Sequence, residues 1–356
     1  MGWRRALSVA LIVVSGAAIL LTVIPAVPSN EWWIRVWDFP RSQLLAVIVA
    51  CLLLSPVVLS LRKGPVLIGL AALVGAGAWQ SYRVWPYTPL AATEAVAMAS
   101  CPVESRLLLL TANVQVSNRT SEPLLTMVDQ TQPDLVLLVE TNQWWDEELE
   151  PFKQAYREHI SQAREDGYGM HLFSRYELIE PQVRFLLEDY VPSIKTGVRL
   201  PSGREITFHG VHPVPPPLED TEERDAELLL IAREIREEQT SAIVAGDLND
   251  VGWSRTTRLF QEISGTLDPR IGRGPFPTFN ADWPILRWPL DYVFFDPSFR
   301  LVDMGLMDHV GSDHFPLLIE LCHAPELVSV QRNARPSPAE VERASEAIQQ
   351  GREEAR

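Results

Sequence analysis

The sequence predicts an α+β sandwich, two sheets packed face to face with helices outside, preceded by three transmembrane α-helices. Three observations predict it. Residues 6–28, 42–61 and 64–82 are apolar and uncharged. Between about 105 and 323, many short β-like runs alternate with only a few amphipathic helices. Charge divides the chain in the same place. Residues 1–104 hold seven Lys/Arg against four Asp/Glu, a net +3, while 105–323 hold 19 against 36, a net −17, within a total of −15. An acidic domain with no Lys/Arg-rich run argues against a protein that coats polyanions. Three cysteines exclude a disulfide-rich miniature fold.

Residues 1–85 read as a membrane anchor. A bilayer core of about 30 Å needs roughly 20 apolar residues in a helix, and each run meets that length. Arg4 and Arg5 precede the first run, and Arg62 and Lys63 join the second to the third. These pairs favour an N-terminus in the cytoplasm and everything after Tyr82 outside it. Trp32, Trp33, Trp37, Trp79 and Trp85 flank the runs as interfacial aromatics do. Residues 86–104, with Pro86, Pro89 and Pro102, read as an extended linker.

In the domain at 105–323, strands are expected at Leu107–Val116, Leu135–Val139, Met170–Ser174, Ile206–Val211, Ala242–Ala245, Tyr292–Phe295 and Phe315–Leu321. Helices are expected at Glu122–Thr131, Asp220–Gln239 and Ser254–Ile263. Glu219, Asp220, Glu222 and Glu223 crowd the start of the second, where acids suit the helix dipole. Residues 324–356 are polar and read as a partly disordered tail with a short helix after Pro338.

Polar residues collect at the ends of the β-runs. Asn113 interrupts LLLLTANVQV, Glu140 ends DLVLLVE, and His212 ends ITFHGVH. Asp247, Asn249 and Asp250 follow AIVAG, Asp291 opens LDYVFF, and Asp313 and His314 precede FPLLIEL. Each alone also fits a turn or a structural role. Together they place several carboxylates at strand ends, where burial is costly without partners and a divalent cation is a common remedy.

In this order the elements T-A-N-V at 111–114, L-V-E at 138–140, H-P at 212–213, G-D-L-N-D at 246–250, L-D-Y-V-F at 290–294 and G-S-D-H-F-P at 311–316 resemble the endonuclease/exonuclease/phosphatase superfamily. The resemblance spans about 105–323 and implies a four-layer α/β/β/α sandwich with a metal-dependent phosphoesterase site at one edge. It implies that Asn113 and Glu140 hold a Mg²⁺ (or Mn²⁺) ion with Asp313 contributing. It further implies that His314 is a general base or phosphate contact, partnered by Asp291. Asp247 would orient or deprotonate the water, Asn249 would donate to a phosphate oxygen, and His212 would act as general acid. The choice of base between Asp247 and His314 stays open. With the spans, the chain resembles membrane-attached bacterial members, which implies an inner (cytoplasmic) membrane with the domain on the periplasmic side.

The implied substrate is a phosphate ester, small or lipid-linked. A nuclease using a local patch such as Arg270, Arg273 and Arg287 is the alternative, and a non-catalytic binding module is a third reading. Residues 265–289, rich in Gly, Pro, Trp and Arg, read as a loop over the site suited to a head group or base, or as a plain surface loop. In the family fold the first and last strands lie antiparallel side by side. That implies a Cys101–Cys322 disulfide if the domain is outside the cytoplasm, or else two free buried thiols.

Overall fold

The computed structural model describes residues 2–216, 220–331 and 335–355. Helices α1 (Gly2–Val23), α3 (Arg41–Val58) and α4 (Gly64–Val84) are long and apolar enough to cross a membrane, and a short α2 (Trp32–Arg35) lies between the first two. The C-terminal end of α1, the start of α3 and the end of α4 therefore share one end of the bundle. Polar groups gathered there satisfy one another. Arg41 donates to Asp38 (2.5 Å) and Gln80 (2.9 Å), and Gln80 donates to Thr22 (3.0 Å).

The rest is a two-sheet sandwich flanked by helices. One sheet has the order β10 (Phe299–Leu306), β11 (Leu317–His323), β1 (Arg106–Asn113), β2 (Leu135–Val139), β4 (Met170–Ser174), β3 (Glu158–Gln162). The other has the order β5 (Glu177–Phe185), β6 (Pro192–Arg199), β7 (Glu205–Val211), β8 (Ala242–Asp247), β9 (Asp291–Phe295). The central pairs β1/β2 and β7/β8 are parallel, and the other pairs are antiparallel. Helices α5 (Glu122–Thr131), α6 (Gln143–Glu148) and α7 (Glu150–Ala155) cover the first sheet. Helices α8 (Glu222–Glu238), α9 (Arg255–Ser264) and α10 (Pro338–Glu354) cover the second.

The period of two along each strand builds three apolar layers. Leu107, Leu109, Leu135, Leu137, Ile243, Ala245, Val293 and Phe295 fill the space between the sheets. Their neighbours Leu110, Val136 and Leu138 face the first helical layer. Ala242, Val244, Tyr292 and Phe294 face the second.

The structure adds strands β3, β5, β6 and β10 and helices α6 and α7 to the expected elements, and two further segments depart from their expected form. Residues 86–104 are not free linker. Ala95 is fully buried, Ala97 bridges Leu301, and Val96 and Met98 bond to Gln331 and Leu301. Cys101 reaches Cys322, whose Cα lies 5.7 Å away, and the two form a disulfide. Residues 338–354, expected as a short helix in a loose tail, form the full length of α10, which packs against α8. Its buried stripe of Ala344, Ile348 and Gly351 is narrow. A Cβ at Gly351 would lie 2.4 Å from that of Ala226, so close approach of the two helices replaces bulk. Glu219, expected at the start of α8, and Arg332 of the tail lie outside the described residues.

Glu227 is buried within α8, and its Oε1 has no hydrogen-bond partner among the described residues. Burial, only partly offset by Arg184, pushes its pKa up to about 8 from an ordinary 4.5. A carboxyl raised in the folded state stabilises the fold below its unfolded value and loses that contribution as pH climbs through the folded value. Thermal unfolding of the full chain is therefore expected to fall between pH 4.5 and 8 in a component that Glu227→Gln removes. Parallel midpoint-versus-pH curves for the two proteins would contradict this.

Candidate functional site

The period that builds the core also builds the site. Positions 107 and 109 of β1, 243 and 245 of β8, and 293 and 295 of β9 point between the sheets. The same parity toward one edge leads, past Thr111 on β1, to Asn113, Asp247 and Asp291. On β7 the inward positions are Ile206 and Phe208, and the same parity reaches His212. Parallel pairing puts the ends of β1 and β2 together, with Asn113 opposite Val139, and the ends of β7 and β8 together, with Val211 opposite Gly246. Apolar inward residues thus give way to polar ones at a single mouth.

Asp247 and Asp291 sit directly opposite each other in the β8/β9 ladder, both about 1% exposed. Like charges so placed repel. His314 stands between them. Its Nδ1 is 2.7 Å from Asp291 Oδ2, and its Nε2 is 3.6 Å from Asp247 Oδ2. Burial disfavours the imidazolium, but Asp291, Asp247 and Asp313 outweigh it and raise the His314 pKa to about 10. The ligand atoms of Asp247, Asp291 and His314 lie within 4.8 Å of one another.

Asn113 Nδ2 donates to Glu140 Oε1 (2.7 Å) and to Asp247 Oδ2 (3.1 Å), so one amide bridges two carboxylates. Glu140 Oε2 accepts from Val116 N (3.0 Å). Asp313 is half-buried. Its carboxyl is raised first by burial and then by Glu140 and Asp247. Asn113 Oδ1 accepts from Gln115 N (2.9 Å), so the amide turns its amino group to the carboxylates. The carboxylates of Glu140, Asp247 and Asp313 form a hard, acidic set whose mutual repulsion a divalent cation would relieve, and this chemistry fits such an ion.

Other expected residues take different positions. Asn249 Nδ2 donates to Pro213 O (2.9 Å), and its backbone N–H donates to Asp247 Oδ1 (2.9 Å). His212 is buried, 5.8 Å from the Tyr168 ring, and its Nδ1 has no hydrogen-bond partner among the described residues. Asp250, the last residue of GDLND, points away from the mouth and accepts from Ser254 and Thr257. Glu140 (φ 62°) and Asn249 (φ 51°) both adopt left-handed backbone, which side chains other than glycine's seldom adopt. Gly246 (φ +135°) is required beside them, since a Cβ there would lie 1.9 Å from Val211 O.

The three arginines that the nuclease alternative would use do not form an open patch. Arg270 is buried in an ion pair with Asp268 (2.6 Å) and stacks 3.7 Å over Tyr292. Arg273 is spent on the Pro269 and Ala95 carbonyls. Arg287 remains near the mouth, over Phe315, donating to Asn280 O and Ala281 O. The loop before β9 does border the site. Phe279 bridges His314 with ring centroids 4.9 Å apart, and Ala281 N donates to Asp313 O (2.7 Å). Thr278 Oγ1 accepts from the Leu290 and Asp291 N–H groups.

These features define a sandwich with acidic, amide and imidazole groups at the mouth between its sheets. A family model described as "Endonuclease/Exonuclease/phosphatase family" matches residues 110–314, and the chain belongs to that family, whose members are generally metal-dependent phosphoesterases. Among solved structures, TDP2 from D. rerio complexed with single strand DNA product is similar at 18% identity and TM-score 0.53, over 61% of this chain and 99% of that one. An endonuclease/exonuclease/phosphatase from Beutenbergia cavernae is similar at 17% and 0.52, over 62% of this chain and 72% of that one. At these identities the likeness is one of fold. No curated protein sequence matches the chain.

Ser312 went unnoticed in the sequence, although it lies inside the GSDHFP string. Its hydroxyl donates to Asn113 O (2.7 Å) and accepts from His314 N (3.0 Å), tying the end of β1 to the histidine. Ser312→Ala leaves both buried partners unsatisfied, a cost of about 1–3 kcal/mol. The expected result is a lower denaturation midpoint together with reduced turnover. An unchanged midpoint would show that the link carries no weight.

Proposed function

We propose that the chain is a membrane-anchored, divalent-metal-dependent phosphoesterase that hydrolyses a small or lipid-linked phosphate ester. The observation that carries this reading is His314 set between the opposed Asp247 and Asp291, beside the carboxylates bridged by Asn113.

In this reading Asn113, Glu140 and Asp313 hold Mg²⁺ or Mn²⁺, and the ion, when bound, neutralises phosphoryl charge and makes water a better nucleophile. Asp291 accepts from His314 Nδ1, which fixes the imidazole and leaves Nε2 for the reacting atoms. Asp247 orients the attacking water and takes its proton, while His314, kept as an imidazolium between the two aspartates, donates from Nε2 to a phosphoryl oxygen. Asn249 donates to a phosphoryl oxygen on exchanging its bond to Pro213 O. His212, with a free ring nitrogen, gives a proton to the leaving oxygen.

The anchor comprises residues 1–85 and the catalytic unit 105–323. A Cys101–Cys322 bridge suits an oxidising compartment and supports a domain on the periplasmic side of an inner membrane. The net −17 of residues 105–323 and the engaged Arg270 and Arg273 favour a small or lipid-borne ester over long nucleic acid.

The test is hydrolysis of a soluble phosphodiester by the full chain with Mg²⁺. Chelation is expected to abolish turnover and added Mg²⁺ to restore it. Asp247→Ala is expected to lower kcat by about 10²–10⁴-fold. Full activity in Asp247→Ala, or in chelator, would sink the reading.

A further inference from the structure

The edge of the sandwich that carries the site is also the edge that meets the anchor. Trp253, six residues beyond Asp247, donates from Nε1 to Asp38 O (2.7 Å). Trp288, three residues before Asp291, packs edge-on against Phe39 at 5.9 Å. The start of α8 is fastened there as well, through Thr221 N to Asn30 O (3.0 Å). All of these anchor residues lie between α1 and α3, at the end of the bundle where an interface would fall.

The loop between Ala281 and Arg287 goes further. Its tip, Asp282-Trp-Pro-Ile-Leu, is exposed throughout, with Trp283 at 65%, Ile285 at 79% and Leu286 at 45%. Three neighbouring apolar side chains left uncovered call for an apolar partner. The tip is not far out in solvent, because Ile285 O accepts from Gln43 Nε2 (2.9 Å), and Gln43 is two residues inside α3. The first turn of a membrane-crossing helix lies at the lipid head groups, where tryptophan is favoured. The same loop is bonded to Asp313 through Ala281 and to Phe315 through Thr278, and the Phe279 ring lies against His314.

We infer that Trp283, Ile285 and Leu286 enter the interfacial layer of the bilayer and hold the site mouth against it, so that the phosphate ester is presented by a lipid head group. This rests on the reading of α1, α3 and α4 as membrane-spanning and deepens the phosphoesterase proposal. The acidic surface of the domain is no obstacle, since contact is made by an apolar tip carrying one acid, Asp282, and flanked by Arg287. Substrate then approaches by lateral diffusion in the bilayer.

The experiment uses the full chain in phosphatidylcholine vesicles containing phosphatidylglycerol and phosphatidic acid. In a Cys51→Ser background, an environment-sensitive thiol label is placed at Ile285→Cys. A control label is placed at Glu237→Cys, near the far end of α8 and about 20 Å along that helix from its anchored start. The Ile285→Cys label is expected to shift to the blue and to be quenched by nitroxide-labelled lipid, while the control is quenched by aqueous iodide. Equal iodide quenching at both positions overturns the insertion. The triple variant Trp283→Ser, Ile285→Ser, Leu286→Ser removes only exposed side chains, so folding is not threatened. It is expected to lower the ratio of vesicle-lipid to soluble-phosphodiester turnover tenfold or more. An unchanged ratio, or a wild type that hydrolyses soluble ester and none of the vesicle lipids, overturns the lipid assignment. If neither ester is hydrolysed, the phosphoesterase reading fails, while the label still decides insertion.

Discussion

Two buried aspartates facing each other across one ladder, with an imidazole between them, set the terms for the rest of this fold. Asp247 and Asp291 are paired by register, so neither can move without sliding β8 against β9. A slip of one residue would turn both out of the mouth and expose Val244 and Phe294 to the wrong layer. The register is therefore held by the same alternation that fills the core. Gly246 allows the backbone to pass Val211 at the required φ, and Thr278 and Ser312 bind the segments that deliver Asp291 and His314. The family membership is a consequence of this arrangement, since six separate segments must end at one edge for it to exist.

Much of that arrangement was legible before the structure. Strands buried on both faces announce themselves as apolar runs, and Leu135–Val139 and Met170–Ser174 have the expected bounds. Each core run stops on a polar residue, and parity alone carries Asn113, Asp247, Asp291 and His212 to the inner side. The edge strands were not legible. Glu158–Gln162 and Glu177–Phe185 are half-exposed and read as polar sequence. Helix α10 was underestimated because its contact stripe is made of small residues, which give little apolar signal yet allow close packing. The engagement of Arg270, named for the nuclease alternative, was not legible either, since only the structure shows Asp268 and Tyr292 already holding it. Glu140 and Asn249 carry a further feature that composition hides, since their left-handed backbone is visible only in φ.

The segment between α4 and β1 links the two ends of the domain. It leaves α4 beside Tyr87, which packs against Trp253 at 5.5 Å on the site edge. It then follows the sandwich past Ala95 and Ala97 to Cys101, whose partner Cys322 stands opposite Arg106 at the start of β1. The start of β1 is the edge remote from the site. The chain is thus pinned at both edges, by aromatic and hydrogen-bond contacts at one and a covalent bond at the other.

This double attachment bears on how the domain meets its substrate. A catalytic unit on a free tether samples a volume set by linker length and can turn its mouth toward solvent. Here the connecting segment is held at Tyr87, Ala95, Val96, Met98 and Cys101, and Trp253, Trp288, Thr221 and Ile285 each touch the N-terminal helical part near the mouth. Turning the site away from the bundle would break these contacts together and expose the Tyr87–Trp253–Leu290 cluster to water. The constraint that keeps the aspartates opposed and the constraint that keeps the mouth at the anchor share one element, the loop from Thr278 to Leu290. Its inner end bonds to Asp291 and Asp313 and lays Phe279 against the His314 ring, and its outer end bonds to Gln43. A displacement of the outer end would therefore be passed to Asp291 and Asp313 through hydrogen bonds of this one loop.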